Sequence, residues 1–217
     1  FKPSHDYISY FDKNNTHWVI ADKYMNEIDT VKCTLGITDY HDIRILNNGG
    51  YIIQSYDSLF VNMSDVVDGG NQNAKINGVL RIQEFNSSHE LILDWFAFDH
   101  LNIQDFTNLN LTNSEFTWMH GNSIEIDYDN NLFFSDRRSS QIIKIHRTTG
   151  DIIWILGGPL NEFEILNDPL NGPSKQHDAR RLENGNLILF DNGNDHQPPL
   201  SRVVEYGINE IDKTATL

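Results

Sequence analysis

His41-Asp42-Ile43-Arg44-Ile45-Leu46-Asn47-Asn48-Gly49-Gly50-Tyr51-Ile52 aligns without a gap on His177-Asp178-Ala179-Arg180-Arg181-Leu182-Glu183-Asn184-Gly185-Asn186-Leu187-Ile188. The two stretches share His-Asp-x-Arg-x-Leu-x-Asn-Gly-x-x-Ile, seven matched positions in twelve, so the chain is a repeat. A looser third copy starts at His120 and runs through Asn122-Ser123-Ile124 to Asn130-Asn131-Leu132. Each copy carries a central turn of residues that tolerate positive φ, and therefore reads as a hairpin. A second hairpin follows each: Val79–Phe96 turning at Asn86–Ser88, Gln141–Leu156 turning at Thr148–Gly150, and Arg202–Leu217, which reads as incomplete. Two hairpins per unit make a four-stranded sheet, and repeated four-stranded sheets predict propeller blades.

Working outward, the other strand-like runs are Tyr7–Phe11, His17–Ala21, Tyr51–Ser55, Glu90–Phe96, Ser123–Ile126, Leu132–Phe134 and Leu187–Phe190. No segment repeats apolar residues at 3.6 spacing over twelve residues, so the expected class is all-β. The opening hairpin Tyr7–Ala21 is expected to be the outer half of an earlier blade. At about 40–50 residues per blade, the 217 residues fill four or five blades. The expectation is a single domain over residues 1–217, a partial propeller that starts and stops inside a repeat. Asp57–Asn77 and Gln104–Phe116 are polar and read as loops over one face. The first holds Asp65, Asp68, Gly69 and Gly70 without calcium-loop spacing, so it reads as solvated.

Sixteen basic against 31 acidic residues give a net charge of −15, which argues against nucleic-acid partners and anionic membrane surfaces. No window approaches the ~18–20 apolar residues of a membrane span. The chain begins Phe1-Lys2-Pro3 without a signal-like stretch, so any targeting segment is expected to have been removed or left out. Cys33 is the sole cysteine, which excludes an internal disulfide and a multi-cysteine zinc site.

All three copies begin with histidine, and equivalent positions of successive blades converge on a central channel. His41, His120 and His177 are therefore candidates for one site, although a His-Asp pair also serves to cap a turn or tie blades together. Asn122 lies two residues after His120, on the same face if the strand is extended. Ser135-Asp136-Arg137-Arg138 ends the next strand, where Arg137 offers a fork of donors to an oxyanion while its neighbour faces solvent. Three imidazoles also make a zinc constellation. Arg137 beside them opposes a cation, so an anion site is favoured over a metal. Trp118 reads either as an aryl-binding wall or as core. Trp18, Trp95 and Trp154 read as blade-to-blade packing. His5, His17, His89, His146 and His196 read as solvated, and His100 as a weaker candidate for the site.

His120-x-Asn122-Ser123-Ile124, Ser135-x-Arg137, Thr149-Gly150-Asp151-Ile152-Ile153-Trp154-Ile155-Leu156-Gly157-Gly158, Gln176-His177-Asp178-Ala179-Arg180, Phe190-Asp191-Asn192-Gly193 and Ser201-Arg202-Val203-Val204-Glu205-Tyr206 occur in this order. Together they resemble the arylsulfotransferase family over most of residues 36–212. The resemblance implies a six-bladed propeller and ping-pong transfer of a sulfuryl group from a phenolic sulfate ester to a phenol, through a sulfohistidine and without the nucleotide donor. It makes His177 the nucleophile and has Arg137, His120 and Asn122 hold the sulfuryl oxygens. His41 becomes the acid or base at the phenol oxygen. No cofactor is implied, the partners are a small aryl sulfate and a phenolic acceptor, and a homodimer is an allowed assembly. A periplasmic or secreted location also follows from the resemblance. The competing expectation is a non-catalytic propeller that binds a ligand or a protein.

Overall fold

A computed structural model describes Lys2–Pro3 and residues 7–217; His5 lies outside the described residues. The described residues form four antiparallel meanders in sequence order. The first joins β1 (Lys2–Pro3), β2 (Tyr7–Asp12), β3 (His17–Asp22) and β4 (Glu27–Val31). The second joins β5 (Ile37–Ile45), β6 (Tyr51–Val61), β7 (Ala74–Phe85) and β8 (Leu91–Phe96). A short β9 (Glu115–Thr117) lies parallel to the far end of β7. The third joins β10 (Gly121–Ile126), β11 (Leu132–Asp136), β12 (Gln141–Ile145) and β13 (Ile152–Leu156). In the fourth, β14 (Glu164–Leu166) runs parallel to β18 (Thr214–Thr216) at the outer edge of β15 (His177–Arg181), β16 (Leu187–Asp191) and β17 (Arg202–Asn209). The first strand of the third sheet, β10, packs against the first strands of both neighbours, β5 and β15. Sequential four-stranded sheets joined through their first strands are the blades of a β-propeller, and the fold is all-β.

Period-two alternation explains how the blades adhere, because successive side chains of a strand serve opposite neighbours. Ile52, Phe134 and Ile143 enter the core between the second and third sheets. Ile53, next to Ile52, instead joins Trp18, Ile20 and Val31 between the first and second. Phe133 and Ile142 join Leu187, Leu189 and Tyr206 between the third and fourth. Two indoles add polar ties. Trp18 Nε1 donates to the Asp39 carbonyl and Trp95 Nε1 to the Gly150 carbonyl, both at 3.0 Å and both from one sheet to the next. Trp154 is buried edge-on against Phe163 in the last of these cores.

Four expectations about the elements change. Tyr7–Ala21 supplies the middle pair of a four-stranded sheet, since β1 and β4 flank it; β4 escapes sequence reading because three of the four residues Glu27-Ile28-Asp29-Thr30 are acidic or polar. Arg202–Leu217 is a complete hairpin, capped by β14. Asp57–Asn77 is strand at both ends: β6 and β7 overrun the blade, with Met63, Ala74 and Ile76 wholly buried. Gln104–Phe116 then folds onto this extension through buried Phe106 and Phe116, which explains why both polar-looking segments are ordered. Among the described residues, helix is confined to the four residues Ala97–His100 and single 3-10 turns at Met63–Asp65 and Ile103–Asp105.

Candidate active site

The repeated His-Asp-x-Arg motif divides its labour between blade adhesion and the site. Asp42 is buried and accepts from Ile124 N at 2.9 Å, across to the next blade. It also pairs with Arg180 Nη2 at 2.8 Å. Arg44 Nε and Arg180 Nη1 converge on the Ile124 carbonyl, at 2.7 and 2.8 Å. The Asp and Arg of the motif thus clamp β5, β10 and β15 together. The histidines are left for another use.

Each inner strand is irregular where its histidine sits. Pairing shifts register between Thr38 and Ile43 on β5, between Gly121 and Ser123 on β10, and between His177 and Arg180 on β15. Bulges re-aim side chains locally, and here they turn three histidines toward one another. His41 and His120 have ring centroids 4.8 Å apart with their Nε2 atoms at 3.2 Å. His120 and His177 follow at 6.2 Å between centroids. His41 Nδ1 meets both oxygens of buried Asp39, at 2.8 and 3.1 Å, and Tyr40 stacks on its ring. Asp39 is itself held by Gln54 Nε2 at 2.6 Å. His177 Nδ1 faces Asn192 Oδ1 at 2.9 Å and the Lys175 carbonyl at 3.3 Å. His120 is fixed through its backbone, its N–H donating to Asp136 Oδ1 at 2.6 Å. Desolvation first, then electrostatic repulsion within the cluster of His41, His177 and Arg137, pushes the His120 pKa down to about 4, so this ring is neutral at pH 7.

Arg137 follows β11 directly, and its N–H donates to the His120 carbonyl at 2.9 Å. Six of the eight arginines, Arg44, Arg81, Arg147, Arg180, Arg181 and Arg202, pair with carboxylates. Among the described residues Arg137 and Arg138 have no carboxylate partner, although acids outnumber bases by 31 to 16. Arg137 lies close enough to His120 for its charge to lower the pKa of that ring, and a guanidinium unclaimed by so many acids has donors to offer an anion. Among the described residues no group of three or more His, Cys, Asp or Glu is disposed to hold a metal ion.

The expected site residues are thus not placed alike. His41, His120, His177 and Arg137 come together. Asn122 does not share the His120 face, because the bulge at Gly121–Ser123 breaks the alternation. Its Nδ2 donates to the Gln176 carbonyl at 3.0 Å and its Oδ1 accepts from Asp178 N at 3.1 Å, so it grips the backbone on both sides of His177. Trp118 is wholly buried, edge-on to Phe106 and Phe98, and belongs to the core, not to an aryl-binding wall; Phe106 from the folded-back segment covers it. His100 stacks on Trp95 at 5.2 Å and takes no place beside the three histidines. His196 is not solvated: Nε2 lies 2.9 Å from Asp191 Oδ2. His17, His89 and His146 are half-buried or exposed.

Sequence reasoning missed Asp39 and Asn192, and the support behind Asn192. Asp191 accepts from Ser174 N and Gly193 N at 2.8 and 2.9 Å and from Arg202 Nε at 2.8 Å. Arg202 also grips Asp168 bidentately at 2.7 and 2.8 Å. These bonds fix the segments before His177 and after β16, and so explain why Asp191-Asn192-Gly193 and Ser201-Arg202 occur together. The available signal was Asp191-Asn192-Gly193 itself, a polar run ending an inner-sheet strand.

A family model described as arylsulfotransferase (ASST) matches residues 4–217. No curated protein matches the chain. Among solved structures, a catalytically inactive virginiamycin B lyase from Staphylococcus aureus with quinupristin gives a TM-score of 0.48 at 12% identity, covering 95% of this chain and 54% of that one. A Bacteroides caccae protein of unknown function gives 0.48 at 10% identity, covering 99% and 61%. The selenomethionine-substituted lyase gives 0.44 at 14%, covering 93% and 52%. The chain therefore spans between half and two thirds of the length of each of these structures.

Proposed function

The chain belongs to the arylsulfotransferase family, and on that premise we propose that it moves a sulfuryl group from an aryl sulfate to a phenol through a sulfohistidine. The observation that carries the reading is the cluster of three imidazoles beside Arg137, an arginine with no carboxylate partner among the described residues.

His177 is the nucleophile. Its Nδ1 faces two oxygens, so the hydrogen resides there and the Nε2 lone pair is free. In the first half-reaction the Nε2–S bond forms and the S–O(aryl) bond breaks, with its electron pair passing to the aryl oxygen. His41, protonated and paired with Asp39, gives that oxygen its Nε2 proton, so a phenol departs. The sulfated ring keeps Nδ1–H, and its positive charge balances the negative sulfuryl group. In the second half-reaction the acceptor phenol loses its proton to His41 as its oxygen takes the sulfuryl group, which restores both histidines. Arg137 and His120 bind the sulfuryl oxygens, and charge gathered there in the transition state is met by donors already in place. His120, neutral at pH 7, pairs with His41 through Nε2 until substrate takes that place, and its other ring nitrogen carries the hydrogen it offers to the sulfuryl oxygens. Asn122 positions His177 by holding its strand. We place this chemistry in the periplasm or outside the cell, as the family reading suggests.

The test uses the full-length native protein with a chromogenic phenyl sulfate and a phenol acceptor. Acceptor-dependent phenol release that is lost in His177→Ala is expected. A folded wild-type protein that releases none overturns the reading in favour of a non-catalytic binding propeller.

A further inference from the structure

His41 and His177 are held through the same ring nitrogen, but by acceptors of different charge. His41 Nδ1 meets the carboxylate of Asp39 at 2.8 Å. His177 Nδ1 meets the side-chain amide of Asn192 at 2.9 Å, with the Lys175 carbonyl at 3.3 Å. A carbonyl accepts only, so Nδ1 of His177 carries the hydrogen and Asn192 presents its oxygen to it. That orientation is braced on both sides. Ser201 Oγ donates to the Asn192 backbone carbonyl at 2.8 Å, and the preceding Asp191 takes hydrogen bonds from Ser174, Gly193 and Arg202. On the His177 side, Lys175 and Asp178 sit at φ +55° and +56°, a left-handed backbone that swings the Lys175 carbonyl under the ring and lets Asn122 grip either flank.

Both acceptors take a hydrogen bond from Nδ1 and leave Nε2 to act, in His177 toward the sulfuryl group and in His41 from its place beside His120 Nε2. They differ in what they do to a positive ring. A carboxylate neutralises an imidazolium, whereas an amide oxygen orients the ring without offsetting its charge. On the sulfuryl-transfer reading above, we propose that Asn192 is a positioning residue that keeps the sulfated His177 ring reactive, and that Asp39 is its counterpart that makes His41 the proton carrier. When Nε2 takes the sulfuryl group, the ring becomes cationic and retains Nδ1–H against Asn192. The electron pair of the breaking N–S bond returns to this cationic ring in the second half-reaction. An uncharged partner leaves the ring a good leaving group, while a carboxylate at the same place stabilises the intermediate and retards its discharge.

Asn192→Asp and Asn192→Ala separate orientation from charge. Rapid mixing of the full-length protein with a chromogenic phenyl sulfate reads the first half-reaction as a burst of phenol, and added acceptor phenol reads the second. Ring 15N chemical shifts of His177 report the tautomer without reference to activity. Asn192→Ala is expected to mix the tautomers and slow the burst roughly 10–100-fold, the usual cost of losing a group that orients an active imidazole. Asn192→Asp is expected to keep the tautomer and the burst, accumulate sulfated enzyme, and slow acceptor-dependent turnover about tenfold or more. A wild-type burst rate in Asn192→Ala, or an Asp variant with the same profile as the Ala variant, overturns the proposal. A wild-type protein with no burst overturns the transfer reading instead. In that case the 15N shifts still decide Asn192: a His177 ring without Nδ1–H, or one unchanged in Asn192→Ala, removes its role.

Discussion

His120 couples the site to folding through protons. Its pKa is pushed down to about 4, first by desolvation and then by electrostatic repulsion within the cluster of His41, His177 and Arg137, against about 6.5 in an unfolded chain. Between those values the unfolded state binds a proton that the native ring refuses, so native stability falls as pH drops from about 6.5 to about 4 and levels off below. Because the ring is only half-buried, solvent screening trims the full shift to roughly 2 kcal/mol. Denaturant unfolding across this range is expected to show that slope in the wild type and a shallower one in His120→Gln. Equal slopes in the two proteins remove His120 as the source. The same neutrality serves the proposed chemistry, since a second cation beside a protonated His41 would compete with it for the proton-carrying role.

The first strands of the blades carry both cohesion and site, and the Asp42 clamp joins the two. Asp42 bonds Ile124 N and Arg180 while adjoining His41 in sequence. Asp42→Ala leaves Arg180 with a weakened set of partners and Ile124 N–H without its acceptor, an expected loss of about 3–5 kcal/mol in urea unfolding. Asp42→Asn keeps an acceptor for Ile124 N and is expected to lose less. A loss within 0.5 kcal/mol for both, roughly the scatter of surface substitutions, would show the clamp to be incidental. The first-strand histidines were legible because the repeat places equivalent residues equivalently. Arg137 was legible through its strand-ending place in Ser135-x-Arg137, since an arginine among 31 acids reads by itself as a surface ion pair. Asn122 was misread because alternation assumes an unbroken strand, and a bulge is a property of pairing that no single strand displays. Trp118 stayed open because nothing local says that Phe106, twelve residues earlier in a polar segment, returns to cover it. Asp39 and Asn192 went unread for a related reason: each acts through a ring nitrogen whose direction is set by the same irregular strands.

Across the whole molecule, neighbouring sheets share apolar cores, while charge gathers at a few points where sheets meet. Each strand feeds two cores by alternation, so the blades form a stack in which every interface depends on residues from both sides. The net charge of −15 is compatible with this because most cations are spent on pairing, which leaves the arginines near His120 conspicuous. Lys144 shows the structural use of charge at its clearest. It is 2% exposed, on β12 of the third sheet, and its ammonium lies 2.9, 2.8 and 2.9 Å from Asp127, Asp129 and Glu210. Glu210 follows β17 of the fourth sheet, and Arg181 of β15 reaches Asp127 and Glu210 at 2.6 and 3.2 Å, so the cluster bridges two blades. Burial alone would push the Lys144 pKa down, yet the hydrogen bonds it donates to Asp129, Asp127 and Glu210 hold it above its ordinary value. Lys144→Met keeps the stem that packs near Trp154 and removes only the charge. Asp127 and Glu210 are then left to share Arg181 while Asp129 loses its cation, and protonation of these carboxylates becomes easier in the folded state. The variant is therefore expected to lose about 3–5 kcal/mol at pH 7, with the deficit shrinking as pH falls toward 4 and the carboxylates take up protons. Chemical denaturation of both proteins at several pH values measures that convergence. A deficit that stays constant with pH would mean that Lys144 acts through packing, and that the blades are held at this point without its charge.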